Sequence, residues 1–123
     1  MRNIALLLLL LLMTVVVVGI GNAKMSGKGD AQAGAALYKQ HCLRCHGEQG
    51  KGDGLASKVL NPKPHDFSDK PFMAKLSDED LFKTIAKGGA AVGKAKVMPA
   101  YEGKLKEKDI NDVVAFVRSL AQK

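Results

Sequence analysis

The sequence is poor in aromatic residues and in arginine. Its 123 residues include no tryptophan, two tyrosines and four phenylalanines, so it has few rings on which nucleic-acid bases could stack. Three arginines accompany sixteen lysines, and lysine lacks the planar fork with which arginine binds phosphates and bases. Although the net charge is +7, these shortages argue against nucleic acid as a partner and favour an acidic protein surface.

The same shortage limits the hydrophobic core. Aromatic residues make up 5% of the chain, and small domains of this kind usually need a disulfide, a metal or another staple. We therefore expect something other than side chains to fill the middle of the fold.

One long apolar run stands at the N-terminus. A positively charged start precedes the apolar stretch 4–20, and Gly-Asn-Ala at 21–23 provides the small residues at which signal peptidase cleaves. The pattern predicts an export signal over residues 1–23, cleaved after Ala23, and hence a periplasmic protein. The run is also close to the shortest that spans a bilayer. An uncleaved membrane anchor is therefore the alternative, and only an anchored form would associate with a membrane.

The rest of the chain divides into a short flexible segment, 24–28, and a single domain, 29–123. Asp30 is predicted to cap a first helix. Apolar and small residues then recur at steps of three and four as far as Cys45, which predicts one helix over that whole stretch.

Two further helices are predicted towards the C-terminus. Ser77, with Asp80 three residues later, resembles a capping box, and the short helix that follows should stop at Gly88. The last helix is predicted from one apolar stripe with polar residues around it. The residues of that stripe are Ile110, Val113, Val114, Val117, Leu120 and Ala121.

The segment 47–76 lies between the first two of these helices. It holds three of the four prolines and has no sustained period of 2 or 3.6, so neither strand nor helix is predicted in it. A loop of this length is uncommon in a compact domain unless it surrounds something other than itself. A planar cofactor would be such an object.

Residues 42–46 read Cys-Leu-Arg-Cys-His, the C-x-x-C-H spacing of haem attachment. Two thiols three residues apart on a helix share a face, so each can add to one vinyl group of a haem. The adjacent histidine then supplies an imidazole ligand to the iron. The motif predicts one haem c, bound covalently by Cys42 and Cys45 and ligated by His46.

Three other chemistries use paired cysteines. A thioredoxin-like dithiol should follow a strand in a βαβ unit, which is not predicted here. A zinc site needs four ligands, and the chain offers no further cysteine and only His41 and His65 in addition. A structural disulfide suits an exported protein but leaves His46 unexplained. We favour haem attachment over these alternatives.

A six-coordinate haem needs a second axial ligand, and a methionine thioether suits a carrier of high potential. Met98 is predicted, because the flexible stretch 88–96 before it allows it to reach the far face of the haem. Met73 lies in an apolar segment and is better explained by packing. His65 would give a bis-histidine site, an open site would leave one position free, and Met25 is too near the exported terminus to be held.

With these residues, the chain resembles the class I monohaem cytochromes c of bacteria. The resemblance covers residues 29–121 and depends on the C-x-x-C-H motif, on Gly34 and Tyr38 before it, and on Val-Met-Pro-Ala-Tyr at 97–101. It implies an all-α, small cytochrome c fold of three to four helices wrapped around one covalently attached haem. The first and last helices would cross near Gly34, with Tyr38 packed against the stripe at 113–117.

The resemblance also implies two further contacts to the cofactor. A proline carbonyl in the loop after the motif should accept a hydrogen bond from the imidazole of His46, which would fix the ring. Pro62 is the first candidate and Pro64 the second. Tyr101 is expected to reach a haem propionate.

The implied function is one-electron transfer through an exposed haem edge, by a monomer that is not an enzyme. Its expected partners are redox proteins with acidic docking surfaces, such as a cytochrome complex, a dehydrogenase, or a terminal oxidase or reductase. A membrane-tethered subunit of an oxidoreductase complex and an open-site haem enzyme or sensor are the alternatives. The lysines that could steer docking are Lys39, Lys51, Lys58, Lys94, Lys96 and Lys104.

Overall fold

The computed structural model describes residues 29–122. Within this range the chain is helical and contains no strand, so the predicted all-α class is confirmed. The predicted signal and the segment after it, residues 1–28, lie outside the described residues. The five α-helices are α1 (Ala31–His41), α2 (Leu43–His46), α3 (Lys70–Ala74), α4 (Asp78–Lys87) and α5 (Glu107–Leu120), with 3-10 turns at Leu55–Val59 and Ala90–Val92.

Helices α1 and α5 cross at Gly34. A Cβ atom on Gly34 would lie 1.9 Å from the carbonyl oxygen of Asp112, so a residue without a side chain is required for the two backbones to approach this closely. One turn later, Tyr38 is 1% exposed and its ring centroid lies 4.9 Å from that of Phe116. The predicted crossing of the first and last helices is confirmed.

The apolar stripe of α5 supplies much of the core. Its side chains pack against Tyr38 of α1, Met73 of α3, and Leu81 and Ile85 of α4. Burying an aliphatic side chain of this size contributes about 1.5–3 kcal/mol. The buried members of the stripe are Ile110, Val113, Val114, Val117 and Leu120.

A buried carboxylate joins the start of α1 to α5. Asp112 is 2% exposed and accepts hydrogen bonds from the backbone N–H of Asp30 at 2.8 Å and from Nζ of Lys108 at 2.5 Å. Burial raises the pKa of a carboxyl group, but these two hydrogen bonds and the charge of Lys108 outweigh it, so the pKa of Asp112 is below its ordinary value. Asp30 also caps α1 as predicted, accepting the N–H of Gln32 at 2.8 Å.

The first helix is shorter than predicted. The sequence pattern predicts one helix through Cys45, but α1 ends at His41 and α2 begins at Leu43. Cys42 between them still donates its N–H to the carbonyl of Tyr38 at 2.8 Å, while its φ of −116° departs from the helical value. The two cysteines therefore come from the junction and from α2, not from one continuous helix.

The segment 47–76 is more regular than predicted, and the expectation of no helix there is wrong for α3. Asp69 caps this helix by accepting the N–H of Phe72 at 3.0 Å. Pro71 occupies its first turn, where the missing N–H has no partner to lose. The helix buries Met73, which is 2% exposed, and this burial stabilises it. With α2 and α3 included, the fold has five α-helices in the described residues instead of three to four.

Helix α4 begins and ends where the sequence predicts. The Ser77 hydroxyl accepts the N–H of Asp80 at 3.0 Å, the Asp80 carboxylate accepts the N–H of Ser77 at 2.9 Å, and the helix ends at Gly88 with φ +79°. Arg118 of α5 holds the turn before α4 by donating to the carbonyls of Met73, at 2.7 Å, and Leu76. No helix between residues 29 and 122 has the length and apolar character needed to cross a membrane.

Candidate functional site

One cavity brings the predicted site residues together. Its volume is about 550 Å³, within the range of sites that bury a small organic ligand or cofactor. Its walls come from all five α-helices, with Phe72 as the contribution of α3, and from the loops between them, chiefly 60–67 and 93–99. All six predicted residues line it: Cys42, Cys45, His46, Pro62, Met98 and Tyr101.

The remainder of the lining is largely apolar. Leu81, Ile85, Val113 and Val117 present core side chains to the cavity, and such walls suit a flat, largely apolar ring system from which water must be excluded. A minority of polar side chains shares the space. They are His41, Lys63, His65, Asp80, Thr84 and Lys94.

The two cysteines are free thiols. Burial, followed by the neighbouring Cys45, raises the pKa of Cys42 to about 12, so the Cys42 thiol stays protonated at neutral pH. A redox-active dithiol needs a thiolate, which this environment disfavours. Cys42 and Cys45 do not form a disulfide with each other. Zinc lacks ligands, because no group of three or more His, Cys, Asp or Glu side chains within residues 29–122 could hold a metal ion.

His46 is half-buried, and one of its two ring nitrogens is buried without a partner. Its Nδ1 atom has no hydrogen-bond partner, and leaving such a group unsatisfied costs about 1–3 kcal/mol. Burial lowers the pKa of His46 to about 4, so the ring is neutral at physiological pH. Neutral imidazole is the form that ligates metals.

The hydrogen bond predicted between His46 and Pro62 is not present. Pro62 lines the cavity, but no carbonyl accepts a bond from Nδ1 of His46. The ring is held by stacking against Phe67 instead, with centroids 4.9 Å apart and 16° between the planes. The sequence analysis did not identify Phe67. The signal that could have found it is an aromatic residue in a long loop of a chain with few aromatics.

Met98 is half-buried and supplies the one thioether that lines the cavity among the described residues. Its N–H donates to the carbonyl of Ala95 at 3.2 Å, and its own carbonyl accepts the N–H of Gly89 at 3.0 Å. The backbone on both sides of the Met98 side chain is therefore fixed.

The rival ligands are placed differently. Met73 is buried in the core and does not line the cavity. His65 lines the cavity but is exposed, and its ring stacks on Phe72 with centroids 4.1 Å apart. Met25 lies outside the described residues.

Tyr101 lines the cavity, but its hydroxyl is already engaged. It donates to the carbonyl of His41, at the end of α1, at 2.9 Å. The hydroxyl expected to bond to a haem propionate therefore bonds to a backbone carbonyl instead. Burial raises the pKa of Tyr101, so the hydroxyl remains a donor at physiological pH and joins the segment after Met98 to α1.

Known proteins resemble this chain in sequence and in fold. The family model described as cytochrome C oxidase, cbb3-type, subunit III matches residues 29–117. The chain belongs to the cytochrome c family. This cytochrome is 32% identical to cytochrome c6 of Limnospira maxima over 95 residues, which are 77% of the chain and 98% of that relative.

Two further comparisons concern a longer relative and a solved structure. The Cbb3-type cytochrome c oxidase subunit FixP of Bradyrhizobium sp. (strain ORS 278) is 34% identical over 91 residues, which are 74% of this chain. The chain spans 28% of the length of FixP. The solved structure of the KustC0563 c-type cytochrome superposes with a TM-score of 0.58 at 30% identity, covering 71% of this chain and 95% of that one.

These matches confirm the predicted cytochrome c fold and the covalently bound haem c. The residues present fit such a cofactor. Two free thiols and a neutral, unpartnered imidazole lie on one apolar cavity of about 550 Å³.

Proposed function

We propose that this cytochrome is a one-electron carrier whose haem is attached through Cys42 and Cys45 and ligated by His46 and Met98. The observation that carries the proposal is the convergence of these four side chains on one apolar cavity. About fifty residues separate His46 from Met98 in the sequence. The fold, and not local spacing, therefore places both residues on the same cavity.

The haem supplies an iron that stores one electron by alternating between its ferrous and ferric states. The protein's part is to hold the iron coordination constant. His46 contributes a neutral imidazole, and the thioether of Met98 favours a high potential. The apolar side chains of Leu81, Ile85 and Val117 line the same cavity and would exclude water from the haem. This limits the solvent rearrangement that accompanies each change in the charge of the iron.

The proposed partners are redox proteins with an acidic surface around an apolar centre. Val97, next to Met98, is 61% exposed, and the exposed lysines Lys94 and Lys96 lie within three residues of it. An exposed apolar side chain near cations suits a transient interface in which charge speeds the encounter and apolar contact brings the cofactors close. If the predicted signal is cleaved, this encounter takes place in the periplasm.

A second role is favoured by the relatives that are oxidase subunits. The FixP match concerns a subunit of a larger complex. This cytochrome would then pass electrons within an assembly, and its N-terminal apolar run would be retained as an anchor. Fractionation of the full chain separates the two roles, since the anchored subunit would pellet with membranes and the carrier would not.

The carrier proposal is tested by counting haems and electrons. Protein matured in a host with a haem-attachment system should gain the mass of one haem and take up one electron in a reductive titration. Cys42→Ser and Cys45→Ser together should abolish the covalent attachment. Prompt binding of carbon monoxide to the reduced wild type would show an open iron position and contradict the proposal.

A further inference from the structure

Backbone hydrogen bonds of Gly89 close the loop between α4 and Met98. The N–H of Gly89 donates to the carbonyl of Met98 at 3.0 Å, and the carbonyl of Gly89 accepts the N–H of Lys94 at 2.8 Å. Both backbone groups of Gly89 are therefore used within the loop. The residue before it, Gly88, ends α4 and donates its N–H to Thr84 at 3.0 Å, so the start of the loop is anchored on the helix.

Space, and not backbone conformation, requires glycine at position 89. Gly89 has φ −62° and ψ −40°, which any residue adopts without strain. A Cβ atom there, however, would lie 2.1 Å from the carbonyl oxygen of Ala95 and 3.2 Å from Cβ of Met98. An alanine could fit only if the backbone of Ala95 and the side chain of Met98 both moved.

The backbone of Gly88 also lies close to the backbone of Met98. Its φ is +79°, and a Cβ atom on it would lie 2.9 Å from the carbonyl oxygen of Met98. The backbone of Met98 thus lies against two consecutive glycines at the end of α4, a helix whose residues Leu81 and Ile85 line the cavity.

We infer that Gly89 is the positioning residue for the Met98 thioether, holding its sulfur where it can ligate the iron. The inference rests on the ligation proposed above and concerns this chain's own backbone. The cavity also contains the nitrogen-bearing side chains of His65 and Lys94. A ligand held through its backbone keeps its place against such competitors, whereas one on a free loop does not.

The test compares Gly89→Ala with Gly103→Ala in the haem-loaded protein. Gly103 lies in the same connection between α4 and α5, and a Cβ atom there meets nothing within 4 Å. Gly89→Ala should weaken the far-red absorption band of the oxidised, thioether-ligated haem several-fold and lower the reduction potential. Haem content and the far-ultraviolet helical signal should stay at the wild-type level. Gly103→Ala should leave all four properties unchanged.

The outcomes separate the two proposals. If Gly89→Ala keeps the wild-type band and potential while Met98→Ala loses the band, the positioning role is overturned and the ligation stands. If the wild-type band is absent or survives Met98→Ala, the ligation is wrong and the positioning role falls with it.

Amide hydrogen exchange in the wild-type haem protein covers the case in which Gly89→Ala does not fold. The bonded N–H of Gly89 should exchange at least tenfold more slowly than the N–H of the exposed Lys96. Equal exchange rates would contradict the closed loop.

Discussion

The imidazole of His46 lies almost parallel to the ring of Phe67, with centroids 4.9 Å apart and 16° between the planes. Phe67 is tied to the segment after the C-x-x-C-H motif, because its N–H donates to the carbonyl of Gly50 at 2.7 Å. The long loop after the motif therefore returns to the motif and supplies a flat surface for the proposed ligand. In this structure the stack takes the place of the expected proline hydrogen bond.

Phe67→Leu should loosen the orientation of the imidazole. A leucine keeps apolar bulk but not the flat face, so the ferric protein should show shifted and broadened electron paramagnetic resonance signals. The matched control is Phe82→Leu in α4, because Phe82 packs on the core but does not line the cavity. Identical spectra for the Phe67 variant and the wild type would show that the stack does not orient the ligand.

Gly34→Ala should destabilise the fold. In an ordinary helix this change would stabilise by about 1 kcal/mol, but here the new Cβ atom would lie 1.9 Å from the backbone of Asp112. We expect a net loss of more than about 3 kcal/mol, or failure to fold. Denaturant unfolding measures it. Ala36→Gly, at an exposed position of the same helix, should cost only about 1 kcal/mol, and a loss of that size in both variants would contradict the close crossing.

Asp112→Asn should change how stability depends on pH. The folded pKa of Asp112 is below its ordinary value, so its carboxylate stabilises the fold fully above the unfolded pKa of about 3.9. That contribution is lost as pH falls through the folded pKa. The unfolding midpoints of wild type and Asp112→Asn should therefore differ most at neutral pH and converge below about pH 4.

Glu107→Gln is the control for this pH effect, because Glu107 is exposed in the first turn of the same helix. Its difference from wild type should be small at every pH. A gap between wild type and Asp112→Asn that stays constant down to pH 2 would show that the charge of Asp112 does not contribute.

Lys94→Gln with Lys96→Gln should slow the reaction of the reduced protein with ferricyanide, an anionic oxidant. Electrostatic steering predicts a several-fold lower rate at low ionic strength and a difference that disappears at high salt. The control pair, Lys70→Gln with Lys75→Gln, removes the same charge from exposed lysines that do not line the cavity and are not among the predicted steering residues. Equal rates for the two pairs would place the steering charge elsewhere.

The features that the sequence predicts correctly are mostly local. The capping box of Ser77 and Asp80 and the stop at Gly88 are set by neighbouring residues, so a short stretch of sequence contains all the necessary information. The crossing at Gly34 is long-range, but a glycine inside a helix costs about 1 kcal/mol relative to alanine and so indicates close packing.

The features that the sequence analysis missed depend on contacts between distant segments. The break at Cys42 does not interrupt the apolar period, so periodicity cannot locate it. Helix α3 forms where Met73 enters the core, and its caps are too short a signal on their own. The stack of Phe67 on His46 and the bond from Tyr101 to His41 join segments that are about 20 and 60 residues apart in the chain, and no residue pattern in either segment announces them.

The visible absorption spectrum of the haem-loaded protein, oxidised and then reduced, tests the central claim most directly. The comparison is between wild type, Met98→Ala and Met73→Leu, because Met73 is buried in the core and does not line the cavity. Ligation by His46 and Met98 predicts sharp bands of a low-spin haem on reduction and a far-red band in the oxidised protein, lost in Met98→Ala and kept in Met73→Leu. A far-red band that survives Met98→Ala, or protein that attaches no haem, would contradict the account.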